Sequence, residues 1–531
     1  MARNPLFRNV LAALSKNVSD TETRQHPGKQ TRRKFLKHSA VLMGGAMSIN
    51  STTAWSLAGG FNKKNASTLN VAVVGAGLAG LSCAYELRKR GVIANVFEAS
   101  NRTGGRCYSM NKQFPGPLVV GNQTIERGGE FIDTTHSSML HYVREFGLTL
   151  EDTVKIPGDI KYYFNGQHYS ESDIVNEFRE FFPAMKKDLR NLGTPTADSF
   201  TDFDRQIDLM SLAEYLDSRK AGPLLRRVLD VIYNIEYGLE THEQSALNFL
   251  LFMHADRRSR FKPLGVFTDE RYHIVEGNQA IASGLEERLA EAVNFEHRLL
   301  KVSKLSDGRV ELIFDVSGNV ITTYHDALVL TLPFSVLRDV ELDPSLELPD
   351  WKTQAINELR YGNNAKLMIA FDERPWLNQG GNAETYSDLA NHQCTWETNI
   401  ALATNQHSIL TDYSGGNRAA NLDTTNVQHE ANLALNDFDK IFPGANAFAK
   451  RDASGDLMVH LEHWLTNPNS KGSYTANHPG YFTSIAGNEG KTVDNIFFAG
   501  EHANSFYDWQ GYMEGAILSG KQAAKEIVSQ K

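Results

Sequence analysis

Leu69-Asn70-Val71-Ala72-Val73-Val74-Gly75-Ala76-Gly77-Leu78-Ala79-Gly80-Leu81-Ser82-Cys83-Ala84-Tyr85-Glu86-Leu87-Arg88 reads as an apolar strand, a G-x-G-x-x-G turn and an amphipathic helix. In such a unit Gly75 makes the tight turn and Gly77 lets the backbone approach a pyrophosphate. Gly80 lets helix and strand pack closely, with the phosphates resting on the helix N-terminus. Ala76, Leu78 and Ala79, between and beside the glycines, count with them as candidate cofactor contacts. After Gly91 a second strand, Ala94-Asn95-Val96-Phe97, ends at Glu98, 18 residues past Gly80. That is close to the ~20 expected for a carboxylate that holds ribose hydroxyls, and it disfavours a 2′-phosphate. The opening of the chain's globular part is therefore a dinucleotide-binding βαβ unit.

Outward from this unit, 531 residues with 41% hydrophobic content suffice for two or more domains of roughly 150 residues each. No low-complexity tract and no solenoid repeat interrupts them. The net charge of −9 is unevenly spread: residues 1–58 carry nine Lys and Arg against Asp20 and Glu22, which leaves −16 on the remainder. An acidic body without a basic run repels a phosphate backbone, which argues against nucleic acid as a partner and is compatible with cationic or zwitterionic small molecules. Within the basic leader, Thr31-Arg32-Arg33-Lys34-Phe35-Leu36-Lys37 precedes an apolar stretch from Ala40 to Ile49 and a small-residue region at Ser56-Leu57-Ala58. This pattern predicts a twin-arginine signal, handling by the twin-arginine export machinery, and a periplasmic or secreted product. The ten residues Ala40 to Ile49 fall short of the ~20 that cross a bilayer, so no permanent membrane span is expected. Cys83, Cys107 and Cys394 match neither a zinc site nor a disulfide framework. A buried thiol is expected at Cys83, a Cys83–Cys107 bridge is left open, and no metal is expected.

Past Glu98 the chain continues Ala99-Ser100-Asn101-Arg102-Thr103-Gly104-Gly105-Arg106. It offers two cations and two glycines where a pyrophosphate must be clamped, for which a simple NAD enzyme has no use. Further blocks follow in order: Glu126-Arg127-Gly128-Gly129-Glu130-Phe131-Ile132; Tyr361-Gly362-Asn363-Asn364-Ala365-Lys366; Trp464 with Lys471-Gly472-Ser473-Tyr474; Phe497-Phe498-Ala499-Gly500-Glu501-His502; and Gly511-Tyr512-Met513-Glu514-Gly515-Ala516. From about Leu69 to Val528 the sequence resembles the flavin-containing amine oxidase family, which includes monoamine, polyamine and L-amino-acid oxidases.

The resemblance implies FAD, bound by the first glycine turn, Glu98, Ala99, Arg102, Gly105 and Arg106, by Gly128, Gly129, Glu130 and Phe131, and by Gly500, Glu501, Gly511, Tyr512 and Met513. It implies that Val302 touches adenine through its backbone. Ser473 stands where monoamine oxidases carry the cysteine that bonds to flavin, so FAD is expected to be non-covalent. A helix beginning near Gly511 would support negative charge on the ring. The implied chemistry is removal of a hydride equivalent from the carbon bearing nitrogen, with oxygen, or a quinone in its place, as the final acceptor. Lys366 resembles the family lysine that holds a water near the flavin. Tyr474 and Tyr512 resemble the aromatic pair flanking the amine, with Trp464 nearby. An L-amino acid is the preferred substrate, yet Phe131 stands near where some L-amino-acid oxidases place a carboxylate-holding arginine. Arg127, Arg271 and Arg360 are the substitutes to inspect, and a primary amine or polyamine is the alternative. A non-catalytic flavin-binding protein is the alternative from another class, and a carotenoid or porphyrinogen oxidase a third reading.

The expected fold is α/β (α+β): a Rossmann-like FAD-binding domain interleaved with a substrate-binding sheet domain and a helical subdomain. The FAD-binding domain is assigned to 69–135, 265–340 and 470–531, the helical subdomain to 136–264 and the substrate domain to 341–469. Helices are expected over Asp173–Asp188 and Leu212–Asn234, and strands over Lys366–Phe371 and His407–Tyr413. The oligomeric state stays open, a homodimer included.

Overall fold

Four short parallel strands lie side by side in the order Ala94–Phe97, Val71–Val74, Ala327–Leu330, Ile496–Phe498. They form the centre of a computed structural model that describes residues 69–153, 158–258, 269–398 and 407–530. The leader expected to be a twin-arginine signal lies outside the described residues. Strands this apolar are buried on both faces, and their alternation sorts the side chains into two cores. Val71, Val73, Val96, Ala327, Val329 and Phe497 face the helices Leu78–Lys89 and Met513–Ser529. Ala72, Val74, Phe97, Leu328, Leu330 and Phe498 face the opposite way. There Phe97 stacks on Phe314 at 4.6 Å between ring centroids. Phe314 comes from a second sheet, ordered Asn319–His325, Val310–Val316, His297–Lys304, Glu341–Leu342.

The two helices press together because small residues stand where they meet. A Cβ at Gly520 would lie 2.1 Å from the Ala79 carbonyl, and one at Gly80 would lie 1.9 Å from the Gly75 carbonyl. Helix, turn and C-terminal helix thus stack through backbone-to-backbone approaches, as the glycine fingerprint requires.

The substrate side is a seven-stranded sheet in the order Val459–His463, Asn364–Phe371, Ser408–Gly415, His392–Glu397, Gly381–Leu389, Asp159–Phe164, Gln167–Tyr169. The helix Val427–Ile441 packs Leu435 and Phe438 against Leu367, Ile369 and Leu410 on one face. The helix Pro223–Tyr237 crosses the sheet as well, with the Asn234 carbonyl 2.3 Å from where a Cβ on Gly415 would stand.

Several expectations are refined. The block 136–264 is mostly helical, but its Asp159–Phe164 strand pairs in parallel with Gly381–Leu389 and so belongs to the substrate sheet. The helix expected over Leu212–Asn234 is two helices, Leu212–Ser218 and Pro223–Tyr237. Pro223 explains the break, since it lacks the N–H that helix continuation needs and suits a first helical position. The helix over Asp173–Asp188 spans Glu171–Asn191 and starts with a reciprocal Ser170–Asp173 capping box. The C-terminal helix starts at Met513, capped by Tyr512, two residues beyond Gly511. Cys83, Cys107 and Cys394 are all buried free thiols, so the Cys83–Cys107 bridge is not formed. Among the described residues no His, Cys, Asp or Glu group is arranged to hold a metal ion, and no helix is long and apolar enough to cross a membrane.

The Gly75–Gly80 contact gives a direct test. Gly80→Ala pushes a methyl group into a backbone carbonyl, and it should lower apo-protein stability by about 1–3 kcal/mol in urea unfolding, with loss of FAD retention on gel filtration.

Candidate active site

Between the two sheets lies a cavity of about 510 Å3, within the ~300–1,000 Å3 typical of sites for small molecules and cofactors. One end is built from the dinucleotide unit. Gly75, Gly77, Leu78 and Ala79 line it, while Ala76 and Gly80 stand behind them. The helix Leu78–Lys89 has no side-chain cap and no acid in its first turn. Its N-terminal amides are therefore left for an anion. Glu98 lines the same end, accepting from the Ala76 amide at 2.8 Å and from the Ser100 amide and hydroxyl at 2.9 and 2.8 Å.

The cations arrange themselves around rings and carboxylates. Arg102 donates to the Thr103 and Gly105 carbonyls and lies 3.5 Å over the Tyr108 ring, whose neighbour Arg127 also contacts it at 3.9 Å. Burial draws the Arg102 guanidinium down from its usual value, yet a guanidinium stays charged at any ordinary pH. Arg106 pairs with Glu501 at 2.7 Å and also donates to the Ser473 carbonyl. Glu501 in turn accepts from the Thr475 hydroxyl. Ala99, Gly105, Gly128, Gly129, Phe131, Gly500, Gly511 and Met513 all face the cavity. Val302 does not. It is fully buried, its carbonyl accepting from Asp343, and the cavity is instead lined by His297–Leu300 at the start of its strand.

The Met513–Ser529 helix presents its N-terminus to the cavity. Its first-turn acid, Glu514, is spent elsewhere, accepting the Ser138 and Met139 amides that open the helix Ser137–Phe146. The partial positive charge at Tyr512–Met513 therefore faces the cavity uncancelled by that carboxylate. Uncapped helix ends, a glycine backbone and paired cations form an anion-holding end that fits the pyrophosphate and reduced ring of FAD. Ser473 offers a hydroxyl, donating to the Gly362 carbonyl and to Asn364 Oδ1, and no thiol for a covalent link.

The other end is aromatic and is set by strand register. Lys366 sits opposite Tyr413 and Glu462, and Tyr413 sits opposite Cys394, two residues before Trp396. Period-two alternation puts Lys366, Tyr413, Glu462 and Trp396 on the cavity face. Trp396 and Tyr413 lie 5.3 Å apart, and Phe131 lies 5.9 Å from Trp396. Tyr474 joins them, its hydroxyl 3.0 Å from that of Tyr413 and donating to the Glu236 carbonyl at 2.6 Å. The buried Tyr512 hydroxyl has no hydrogen-bond partner among the described residues. Its ring is wedged edge-on between His136 and Trp509. Burial raises the phenols of Tyr413, Tyr474 and Tyr512, so all three stay neutral. Trp464 forms a wall, its indole donating to the Arg127 carbonyl. Trp396, Tyr413, Tyr108, Glu462 and Glu270 were not expected from the sequence. Alternation on the strands was the only signal for the first two.

Lys366, which the resemblance assigns to a water near the flavin, is engaged by the protein itself. Its ammonium donates to the Glu126 carbonyl at 2.9 Å, the Gly128 carbonyl at 2.8 Å and Glu130 Oε2 at 2.7 Å. All three protons have protein acceptors, so holding a water would require giving one up. Glu130 Oε1 accepts the Trp396 indole N–H at 3.0 Å. Of the substitute arginines, Arg127 lines the cavity but pairs with Glu462 at 2.5 Å. Burial pushes the Glu462 carboxyl up, but His460 and Arg127 outweigh it and hold it below its usual value. Arg271 and Arg360 pair with Asp152 and Glu243, half exposed and away from the cavity.

Behind the Glu126–Glu130 segment lies a buried triad. His273 Nε2 is 3.1 Å from Glu126 Oε1 and Nδ1 is 3.3 Å from Glu151 Oε2. Burial alone would drive the imidazole down, but the two carboxylates outweigh it and raise its pKa to about 10. A raised folded-state value stabilises the fold fully below the unfolded value of about 6.5 and loses that contribution as pH rises through the folded value. Apo-protein stability in urea should therefore fall between about pH 6.5 and about pH 10. That slope should flatten in His273→Gln/Glu151→Gln.

With this geometry in view, comparison with known proteins is informative. Residues 78–528 match the flavin containing amine oxidoreductase family. A probable polyamine oxidase of Arabidopsis thaliana is 25% identical over 476 residues, covering 87% of this chain and 88% of that protein. An L-amino-acid oxidase of Naja atra is 24% identical over 499 residues, covering 88% and 89%. The solved structure of a cyclohexylamine oxidase from Brevibacterium oxydans superposes with a TM-score of 0.72 at 19% identity, covering 87% of this chain and 99% of that one. A match over most of the chain, joined to a cavity whose two ends suit a flavin dinucleotide and an amine, makes this chain a member of the flavin-containing amine oxidases, with FAD as its cofactor.

Proposed function

We propose that the protein oxidises a small cationic amine without a carboxylate, a primary amine or a diamine or polyamine, to the corresponding carbonyl compound. The observation that carries this reading is Glu270. Its side chain is buried, lines the cavity, and lies within electrostatic reach of Tyr413 and Tyr512. Its backbone sits at φ 42°, a left-handed conformation that a non-glycine residue adopts at a cost and that concentrates at functional sites. Its amide donates to Asp133 Oδ1 at 2.7 Å, which holds the turn. A carboxylate at the aromatic end attracts an ammonium and repels a second carboxylate.

The arginines that line the cavity among the described residues, Arg102, Arg106, Arg127 and Arg298, each bond to a protein acceptor. An L-amino acid would need one of them released to hold its carboxylate in bidentate fashion, so we place that substrate, preferred from the sequence, second. The relatives named for polyamine and cyclohexylamine are consistent with a carboxylate-free amine; the snake relative keeps the amino-acid reading as the competitor to be tested.

In this reading the Tyr474 and Tyr512 rings receive the ammonium by cation–π attraction and orient it once its proton is lost. The carbon bearing nitrogen loses two electrons and a proton to give an iminium, which sheds a second proton from nitrogen, and the resulting imine takes up water to give the carbonyl compound and ammonia. FAD supplies the two-electron acceptor when bound, and oxygen, receiving both electrons and two protons, leaves as hydrogen peroxide. The walls of Trp396, Phe131 and Trp464 exclude bulk water from the reacting carbon. The Arg32-Arg33 leader supports the further proposal that the oxidation takes place outside the cytoplasm, after export of the folded protein by the twin-arginine route.

A peroxide assay of the purified holoprotein with putrescine, spermidine, tyramine, cyclohexylamine and the twenty L-amino acids tests the substrate class. Turnover of the carboxylate-free amines is expected, and turnover confined to amino acids would refute the reading. Glu270→Gln should raise KM for the best amine about 10-fold or more, the size of a lost hydrogen bond to a charged group.

A further inference from the structure

We propose that His273 is a positioning residue for the reaction: by bridging Glu126 and Glu151 it fixes the Glu126–Glu130 segment that holds Lys366 and, through Glu130, the indole of Trp396. This stands on FAD occupying the cavity and holds whichever amine is oxidised.

The three triad residues come from three short strands, Ile125–Glu126, Leu150–Asp152 and Tyr272–Ile274, with Glu151 and His273 directly opposed in register. Their exposures are 1% for Glu126, 4% for Glu151 and 2% for His273. Both ring nitrogens face carboxylate oxygens, and a neutral imidazole can donate through only one, so the ring bridges as the imidazolium. A buried charge cluster of this kind adds little net stability over an apolar trio of similar volume. What it adds here is the fixed placement of Glu126.

Glu126 is tied at every polar atom. Oε2 accepts from the Ser109 hydroxyl at 2.8 Å, Oε1 accepts from the Asn278 amide at 2.8 Å as well as from His273, and the carbonyl accepts from Lys366. The Asn278 side chain then donates to the Gly129 and Glu130 carbonyls at 2.9 and 2.6 Å. The carboxylate that His273 holds is thus linked through one asparagine to the far end of the same segment. Every acceptor of the Lys366 ammonium belongs to that segment, and Glu130 carries the link on to Trp396. Arg127, Gly128, Gly129 and Glu130 line the cavity, so a shift of the triad reaches the cofactor face through one peptide unit. His273 touches neither cavity nor cofactor and acts through Glu126.

The test uses the holoenzyme of three variants. His273→Gln leaves two buried carboxylates facing each other without a cation, which opposes folding; His273→Gln/Glu151→Gln removes that repulsion and isolates the positioning effect. For the double variant we expect apo-protein melting close to wild type, an altered visible circular dichroism of the bound flavin, and anaerobic flavin reduction slowed roughly 10- to 100-fold, as small misplacements in an active site do. Adding Lys366→Met to it should change the dichroism no further, because the two changes act through one segment. A double variant with wild-type dichroism and wild-type reduction rate would overturn the proposal, as would a strictly additive effect of Lys366→Met. The dichroism needs no substrate, so it separates failure of this inference from failure of the substrate assignment.

Discussion

A buried ammonium must find an acceptor for each of its protons, and Lys366 finds all three on one five-residue segment that belongs to the other sheet's domain. That requirement joins the substrate sheet to the cofactor-binding part of the chain. The strand carrying Lys366 is fixed by its neighbours Ser408–Gly415 and Val459–His463, and the acceptors are fixed by Glu126, Asn278 and the triad behind them. The cavity is the space between these two rigid bodies, and the Glu130–Trp396 bond sets one of its walls. Moving the lysine would strand its charge, so the two sides cannot slide past one another cheaply.

Electrostatics divides the cavity in the same economical way. Arginines and helix N-termini without side-chain caps collect at the dinucleotide end, while neutral phenols and indoles collect at the other, with Lys366 held by Glu130 and with Glu270 and Glu462 beside them. Each cation is paired or stacked before any ligand arrives, as with Arg106 on Glu501 and Tyr108 held between Arg102 and Arg127. Such pre-organisation lowers the cost of ordering these groups when a cofactor binds.

How much of this could be read from the chain alone depends on whether a feature is local. The Gly75–Gly80 turn, Glu98, the Arg102–Arg106 clamp and the glycine pair at Gly128–Gly129 were legible because their spacing is dictated by the backbone's approach to a ligand. All of them come together in one cavity or directly behind it. Tyr474 and Tyr512 were legible because each sits inside such a segment. Trp396, Tyr413 and Glu270 were not, since their role is decided by which strand lies beside which and by a turn at positive φ, and neither is written in neighbouring residues. That Val302 does not line the cavity has a related reason. Within an eight-residue strand nothing local says which end reaches the cavity, and register with Leu312 put Val302 in the core. The Asp159–Phe164 strand was absorbed into a helical block because its partner, Gly381–Leu389, is more than two hundred residues away in the chain.

The close seat of Gly520 on the Ala79 carbonyl has a consequence for biosynthesis. The first helix of the dinucleotide unit leaves the ribosome more than four hundred residues ahead of its packing partner and of the fourth central strand, Ile496–Phe498. Until they appear, the part of Leu78–Lys89 that meets Met513–Ser529 is left without that partner. The cofactor's cradle therefore matures only once both have been made, and a nascent or truncated chain lacking them must be kept from aggregating through that face in the meantime.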